Sequence, residues 1–205
     1  MDKKEISVVI CCLGMGRRLG VGNTKALVVV GGKSIIIRQL EMLDDYDDIR
    51  IIVGYQAKKI IDVVNEYRKD IMFGFDYEYE RTGVGANLSK GLIGVRKYVV
   101  VMDGDMLVSS KDFKGFMEYD DECIGVTISG SDSPVYVKLD GNQIVCFSNN
   151  KEKFEWSGIA KIRSNKLLPG NDYVYEKLSC LFPLNAYKLE TKEIDTPGNY
   201  EKMVE

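Results

Sequence analysis

The chain reads as an α/β protein built on a doubly wound, mostly parallel, Rossmann-like mixed sheet with extra strands in its second half, and three observations predict it. Apolar runs at 6–12, 49–53 and 98–102 are nearly continuous, as strands buried on both faces require. The stretches between them, 34–43 and 57–67, carry apolar residues at helical spacing, with Ile36, Ile37, Leu40 and Leu43 on one side of the first. Strand, helix, strand, helix, strand at these lengths is the pattern of a parallel sheet with crossover helices.

The remaining elements follow in order. Residues 26–30 suggest a short strand ended by Gly31-Gly32, 71–77 an extended segment and 86–95 a helix. Asp103-Gly104-Asp105 stops the strand at 98–102. Short strands are expected at 123–129, 135–139, 144–147 and 155–162, with Asp140-Gly141 as a hairpin turn. A helix is expected near 172–181, and a last one after Pro197, whose fixed φ suits a first helical turn. No linker or repeat interrupts the sequence, so one domain spans 1–205, with a nucleotide-binding half at 1–110 and an acceptor-binding half at 111–205.

Composition narrows the function. The 205 residues are 45% hydrophobic and 29% charged, enough to bury roughly 70% of the unfolded surface. A net charge of -3 makes nucleic acid a poor partner. No run approaches a membrane span, and the first residues lack a signal-peptide pattern, so a cytoplasmic location is expected. The five cysteines form no C-x-x-C, and adjacent Cys11 and Cys12 read as packing residues of a reducing compartment. There is no histidine, which removes catalytic triads and the commonest general base. Chemistry here must rest on metals and fixed charges.

Two segments carry that chemistry. After the first strand stand Leu13-Gly14-Met15-Gly16-Arg17-Arg18-Leu19-Gly20 and then Thr24-Lys25-Ala26-Leu27. Glycines let several backbone N–H groups approach an anion, and Arg18 and Lys25 supply a fork and a point charge for phosphate. Leu19 breaks the G-x-G-x-x-G dinucleotide fingerprint, and Leu27 stands where a P-loop ending in Gly32-Lys33-Ser34 needs its first glycine. Asp103 and Asp105, just past a buried strand, offer hard oxygen ligands for Mg²⁺, although a simple turn explains the same residues.

The run CLGMGRRLG…TKALVVVGGKSIIIRQLEML resembles the opening signature of the nucleoside-triphosphate transferase family, whose fold is of the nucleotide-diphospho-sugar transferase type. The resemblance places Leu13, Gly14, Met15, Gly16, Arg18 and Lys25 on the triphosphate, with Leu13 and Thr24 departing from the pattern. It makes Asp105 the metal ligand, with Asp103 orienting it or the ribose, and Glu193-Ile194-Asp195-Thr196-Pro197 resembles the late segment that supplies a second ligand, Asp195. Asp195 or Thr196 equally suits a helix cap. Gly83, Asn87 and Ser89 fall where the base or ribose is met, and Glu155, Trp156 and Gly158 where the acceptor pocket is lined; an aromatic face also suits simple packing.

The Glu-Lys-Pro marker of sugar-1-phosphate enzymes is missing at 147–151, so the pattern is closer to the phosphocholine and inositol-1-phosphate cytidylyltransferases. The resemblance therefore implies CTP and a small phosphorylated acceptor as substrates, with Arg18, Lys25 and Asp105 catalytic. A sugar-1-phosphate or cofactor nucleotidyltransferase using another NTP is the alternative, and a non-catalytic nucleotide-binding module is the alternative of another class. Members of the family are often homodimers; the sequence locates no interface.

Overall fold

The computed structural model describes residues 2–17, 19–20, 22–79, 84–167 and 173–194, with the backbone alone at 84–87 and 193. Its elements in chain order are β1 (Ile6–Cys12), β2 (Val29–Val30), β3 (Lys33–Ser34), α1 (Ile35–Met42), β4 (Ile49–Val53), α2 (Ala57–Tyr67), β5 (Met72–Phe75) and α3 (Val84–Gly91). They continue with β6 (Tyr98–Asp103), β7 (Met106–Val108), α4 (Ser110–Glu118), β8 (Cys123–Ile128), β9 (Tyr136–Asp140) and β10 (Gln143–Ser148). The last are β11 (Phe154–Arg163), α5 (Val174–Ser179), β12 (Leu184–Lys188) and β13 (Thr191–Glu193).

Among the described residues, nine strands form one sheet in the order β5-β4-β1-β6-β11-β8-β12-β10-β9. The first four are parallel, as their connecting helices require. The extra strands of the second half make the sheet mixed, as expected: β11 runs antiparallel between β6 and β8, and β10 antiparallel between β12 and β9. The sequence cause is hairpin chemistry, since Gly141 at φ 58 reverses the chain between β9 and β10 without a crossover.

Both faces are covered. Alternate residues of β1 divide between two cores: Val8, Ile10 and Cys12 meet α1, α2 and α4 through Leu40, Ile60 and Phe116, while Val9 and Cys11 meet α3 and α5 through Leu88 and Leu178. Every residue of β1 and β4 is buried, which is why these segments read as nearly continuous apolar runs, interrupted only by Ser7 and Arg50. The expected strand at 26–30 is instead a 3₁₀ turn at Lys25–Leu27 followed by the two-residue β2. Helix α4 and strand β12 were not foreseen, and the helix expected after Pro197 lies outside the described residues.

Two buried cations tie helix ends to the sheet. Arg50 donates to the carbonyls of Gly91, Ile93 and Gly94 beyond α3 and pairs with Asp48. Lys161 on β11 is wholly buried and donates to the carbonyls of Phe116, Met117 and Tyr119 at the end of α4. Both satisfy carbonyls that a helix terminus leaves without partners. Burial holds the Lys161 ammonium below the ordinary lysine range, against the opposing pull of nearby Cys123 and Asp120.

Candidate active site

The site lies at the carboxyl edge of the parallel strands, where β1 and β6 end side by side with Cys11 in register with Asp103. After Cys12 the chain opens into the glycine loop. Gly16 has φ +60, and a Cβ there would stand 2.6 Å from the Asn23 carbonyl oxygen, so both backbone and space demand glycine. The Gly14 carbonyl accepts from Lys25 N at 3.2 Å and Thr24 Oγ1 at 3.0 Å. Thr24 stands where the family has proline, and its hydroxyl supplies a clamp that proline lacks. The stem of Lys25 passes 3.3 Å from where a Gly14 Cβ would be, and its Nζ reaches Asp105 Oδ2 at 2.7 Å. Both side chains are largely buried, at 14% and 23% exposure, so the pair is shielded from screening by solvent.

The acidic turn is held as firmly. Gly104 N donates to the Cys11 carbonyl at 3.0 Å, and a Cβ on Gly104 would strike Cys12 Sγ at 2.4 Å. From α1, Gln39 Nε2 donates to the carbonyls of Asp103 and Met106, at 2.8 and 2.9 Å. Opposite the Asp103 carboxylate stands Gly158, at φ +80 in the irregular stretch of β11; a Cβ there would come within 2.8 Å of Asp103 Oδ2. The missing side chain leaves a cradle in front of the carboxylate. Burial, and then Asp103 beside Cys11 and Asp105 beside Cys12, pushes both thiols up, so neither supplies a thiolate at neutral pH.

The fold places the other residues expected from the sequence. Leu13 is buried, and its side chain packs beside Gly54 and Tyr79, so it offers an anion only its backbone. Met15 is half-buried in the loop. Ser89 is half-buried on α3, which Leu88 anchors to the same face as Cys11 and Leu13; the side chain of Asn87, and all of Arg18, Gly83 and Asp195, lie outside the described residues. Ile194, one residue before Asp195, is buried against Leu19, Val28 and Ile35 of the glycine-loop region. Among the described residues no group of three or more His, Cys, Asp or Glu gathers for a metal ion. Asp103 and Asp105 nevertheless fit Mg²⁺ in kind, as hard oxygens beside an open cradle and a displaceable ammonium.

Of the three acceptor candidates, Gly158 alone borders Asp103. Trp156 joins an aromatic group with Phe147 and Tyr175, each with ring centroids 6.5 Å away. Glu155 is a correction: its carboxylate is buried and accepts from Ser131 N at 3.1 Å and Ser131 Oγ at 3.0 Å, and strand alternation turns it away from Trp156. It anchors the loop before β9.

Two positioning residues escaped the sequence reading. Gln39 is polar within the apolar stripe of α1, a signal that was there to be read. Gln56 takes a left-handed φ of 53 at the start of α2, while its side chain donates to the Gly22 carbonyl at 3.1 Å and accepts from Thr24 N at 3.3 Å. A strained residue gripping the loop beside Lys25 is typical of functional sites, but nothing in its local sequence marks it.

The fold is that of the nucleotide-diphospho-sugar transferase type. It superposes on the inositol-1-phosphate CTP transferase from T. maritima with TM-score 0.80 and 16% identity, over 97% of this chain and 94% of that one. A putative glucose-1-phosphate thymidylyltransferase from Bacillus anthracis gives TM-score 0.79 and 15% identity, over 97% and 93%. CTP:phosphocholine cytidylyltransferase from Streptococcus pneumoniae (LicC) gives 0.74 and 18%, over 97% of each chain. The nucleotidyltransferase resemblance read in the glycine loop is thus matched by the structural neighbours. In sequence the chain is 30% identical over 122 residues to the bifunctional protein GlmU of Sulfurimonas denitrificans, covering 58% of this chain and 27% of that one. It is 24% identical to the GlmU of Methanococcus maripaludis, over 98% of this chain and 47% of that one. The chain therefore spans about a quarter to a half of the length of the curated relatives it matches. No family model matches it.

Proposed function

We propose that the chain is a nucleotidyltransferase that joins the nucleotide of an NTP to a small phosphorylated acceptor and releases pyrophosphate. The observation that carries this reading is the shielded Lys25–Asp105 pair, 2.7 Å apart, between a glycine loop and the Asp103 turn at the carboxyl edge of the sheet. Asp105, with Asp195, would hold Mg²⁺, which supplies charge neutralisation and orientation of the phosphates.

The residues of the chain do the rest by position. An oxygen of the acceptor phosphate forms a bond to the α-phosphorus, and the bond from that phosphorus to the bridging oxygen breaks, its electron pair leaving with pyrophosphate. A phosphate monoester has its second pKa near ~6, so the nucleophile is ionised at neutral pH and a chain without histidine needs no general base. Lys25 exchanges Asp105 for an α-phosphate oxygen, and Arg18 and the glycine-loop N–H groups receive the departing pyrophosphate. Gly158 leaves room for the acceptor in front of Asp103.

CTP and a phosphocholine-like or polyol phosphate acceptor are the favoured substrates. The missing Glu-Lys-Pro and the aromatic group around Trp156 support that choice, and a cytoplasmic location suits the substrates. Two of the structural neighbours bear names of CTP-dependent enzymes. A sugar-1-phosphate acceptor is the second reading, favoured by the neighbour named for glucose-1-phosphate. Pyrophosphate release with Mg²⁺ is measured for CTP, UTP, GTP, ATP and dTTP against phosphocholine, inositol-1-phosphate and hexose-1-phosphates. Release requiring CTP and one non-sugar phosphate is expected. Release only with a hexose-1-phosphate overturns the acceptor, and NTP binding with no release from any pair leaves a binding module.

A further inference from the structure

Two concave sites outside the candidate active site differ in their charge balance. A cavity of about 430 Å³ between α1 and α4 has its lysines paired, Lys3 with Asp45 at 2.6 Å and Lys114 with Glu118 at 3.9 Å, its Arg38 bonded to the Val30 carbonyl, and its cations matched by Glu41, Asp45 and Glu118. A cavity of about 590 Å³ at the far part of the sheet is lined by Lys153, Lys188 and Lys192 against one acidic group, Glu190. Its apolar wall includes Phe154 and Ile128, the latter 71% exposed. The ammonium groups of Lys153 and Lys188 each stand 5.4 Å from the centroid of the same Phe154 ring. In a chain of net charge -3, three lysines around one exposed apolar floor form a local concentration of positive charge.

We infer that this cavity is a second ligand site, for a small amphipathic anion with an aromatic or aliphatic body and a phosphate head. The body covers Phe154 and Ile128, and the head draws the three ammonium groups together. Such a ligand removes apolar surface from water and adds charge-assisted hydrogen bonds, a combination neither inorganic phosphate nor a neutral hydrocarbon offers. Its floor residue Phe154 lies on β11, beside β6 and two residues before Trp156, while its far wall extends away from the catalytic turn. Strand β12, which carries Lys188, lies three strand positions from β6 in the sheet, about 14 Å at the usual spacing. One wall is nonetheless shared with the active-site region, because β13, which carries Lys192, pairs with β7 immediately after Asp105.

The test is calorimetric titration of the full chain with 1-naphthyl phosphate, and with 1-naphthol as the uncharged control. Saturable binding is expected, at least tenfold tighter than 1-naphthol. The exposed double substitution Lys188→Ala/Lys192→Ala should weaken it at least tenfold, and Lys188→Arg/Lys192→Arg should retain it. Lys25→Ala, in the nucleotide site, should leave the affinity within twofold. Absence of saturable binding, equal binding of the uncharged control, full affinity in the double alanine variant, or loss in Lys25→Ala would each overturn the assignment. The titration needs no turnover, so its failure is separable from failure of the nucleotidyltransferase reading.

Discussion

At the scale of single residues, the site depends on groups whose removal has different signatures. Asp105→Asn keeps the size and most of the hydrogen bonding of the side chain but removes the charge facing Lys25 and a metal. The expected outcome is a fall in pyrophosphate release of at least a hundredfold, with unchanged far-UV circular dichroism; near-normal turnover would remove the metal assignment. Gly158→Ala acts through space. Its new Cβ would lie 2.8 Å from Asp103 Oδ2 and would have to adopt φ +80, so both backbone and carboxylate are displaced. Strain of this kind costs about 1–3 kcal/mol. Activity should drop more than tenfold through a higher KM for the acceptor, since the cradle is filled while Lys25 and the glycine loop are untouched. A variant with wild-type KM would detach Gly158 from the acceptor.

Elements show where the sequence was legible and where it was not. The parallel half could be read because strands buried on both faces leave nearly continuous apolar runs, as in β1 and β4, and because the stripe of α2 has the helical period. The carboxyl edge of that half followed, and with it Gly14, Gly16, Lys25 and Asp105. Strand β12 was opaque because only Leu184 and Ala186 of its five residues are buried, and α4 because its mean apolar content is low around Phe113, Phe116 and Met117. Glu155 looked like a pocket residue for a related reason: only tertiary structure brings Ser131 to it. Lys161 is the sharpest case. A lysine in β11 reads as a solvent-facing position, yet its stem crosses the core to hold the last carbonyls of α4. Lys161→Met keeps the stem and strips the donors from the carbonyls of Met117 and Tyr119, while Phe116 O keeps only its backbone bond from Tyr119 N. A loss of about 1–3 kcal/mol is expected in a urea melt. Because α4 ends at the opposite edge of the sheet from Asp105, activity per folded molecule should stay within twofold, and a large kinetic defect would mean that α4 also shapes the site.

The whole molecule has buried ionisable groups whose titrations pull its stability in opposite directions at high pH. Tyr46 is 6% exposed in the turn after α1, and its hydroxyl is pushed up to about 12 by burial first and then by Glu118 and Asp45. The fold therefore holds that proton more tightly than the unfolded chain does, whose tyrosines titrate near ~10. Between pH 10 and about 12 the native state binds more protons, so stability present below pH 10 is lost as the pH climbs. At about 1.4 kcal/mol per pKa unit the full loss is about 2–3 kcal/mol. Lys161 has the contrary sign: held below the ordinary lysine range, it binds fewer protons in the fold, and its contribution rises with pH until the unfolded lysine has also lost its proton. The two effects meet around the ordinary lysine range, above which Tyr46 acts together with Tyr67 and the buried Cys123 thiol, each also pushed up to about 12. Tyr46→Phe retains the ring under Lys3, 5.6 Å from its ammonium, and deletes the titration. Urea midpoints measured from pH 9 to 12 should fall less steeply in Tyr46→Phe than in the parent chain, while Lys161→Met should fall more steeply below pH 10.5. Parallel curves for parent and Tyr46→Phe would show that alkaline unfolding starts elsewhere, at the other groups pushed up in the fold, Tyr67 and Cys123.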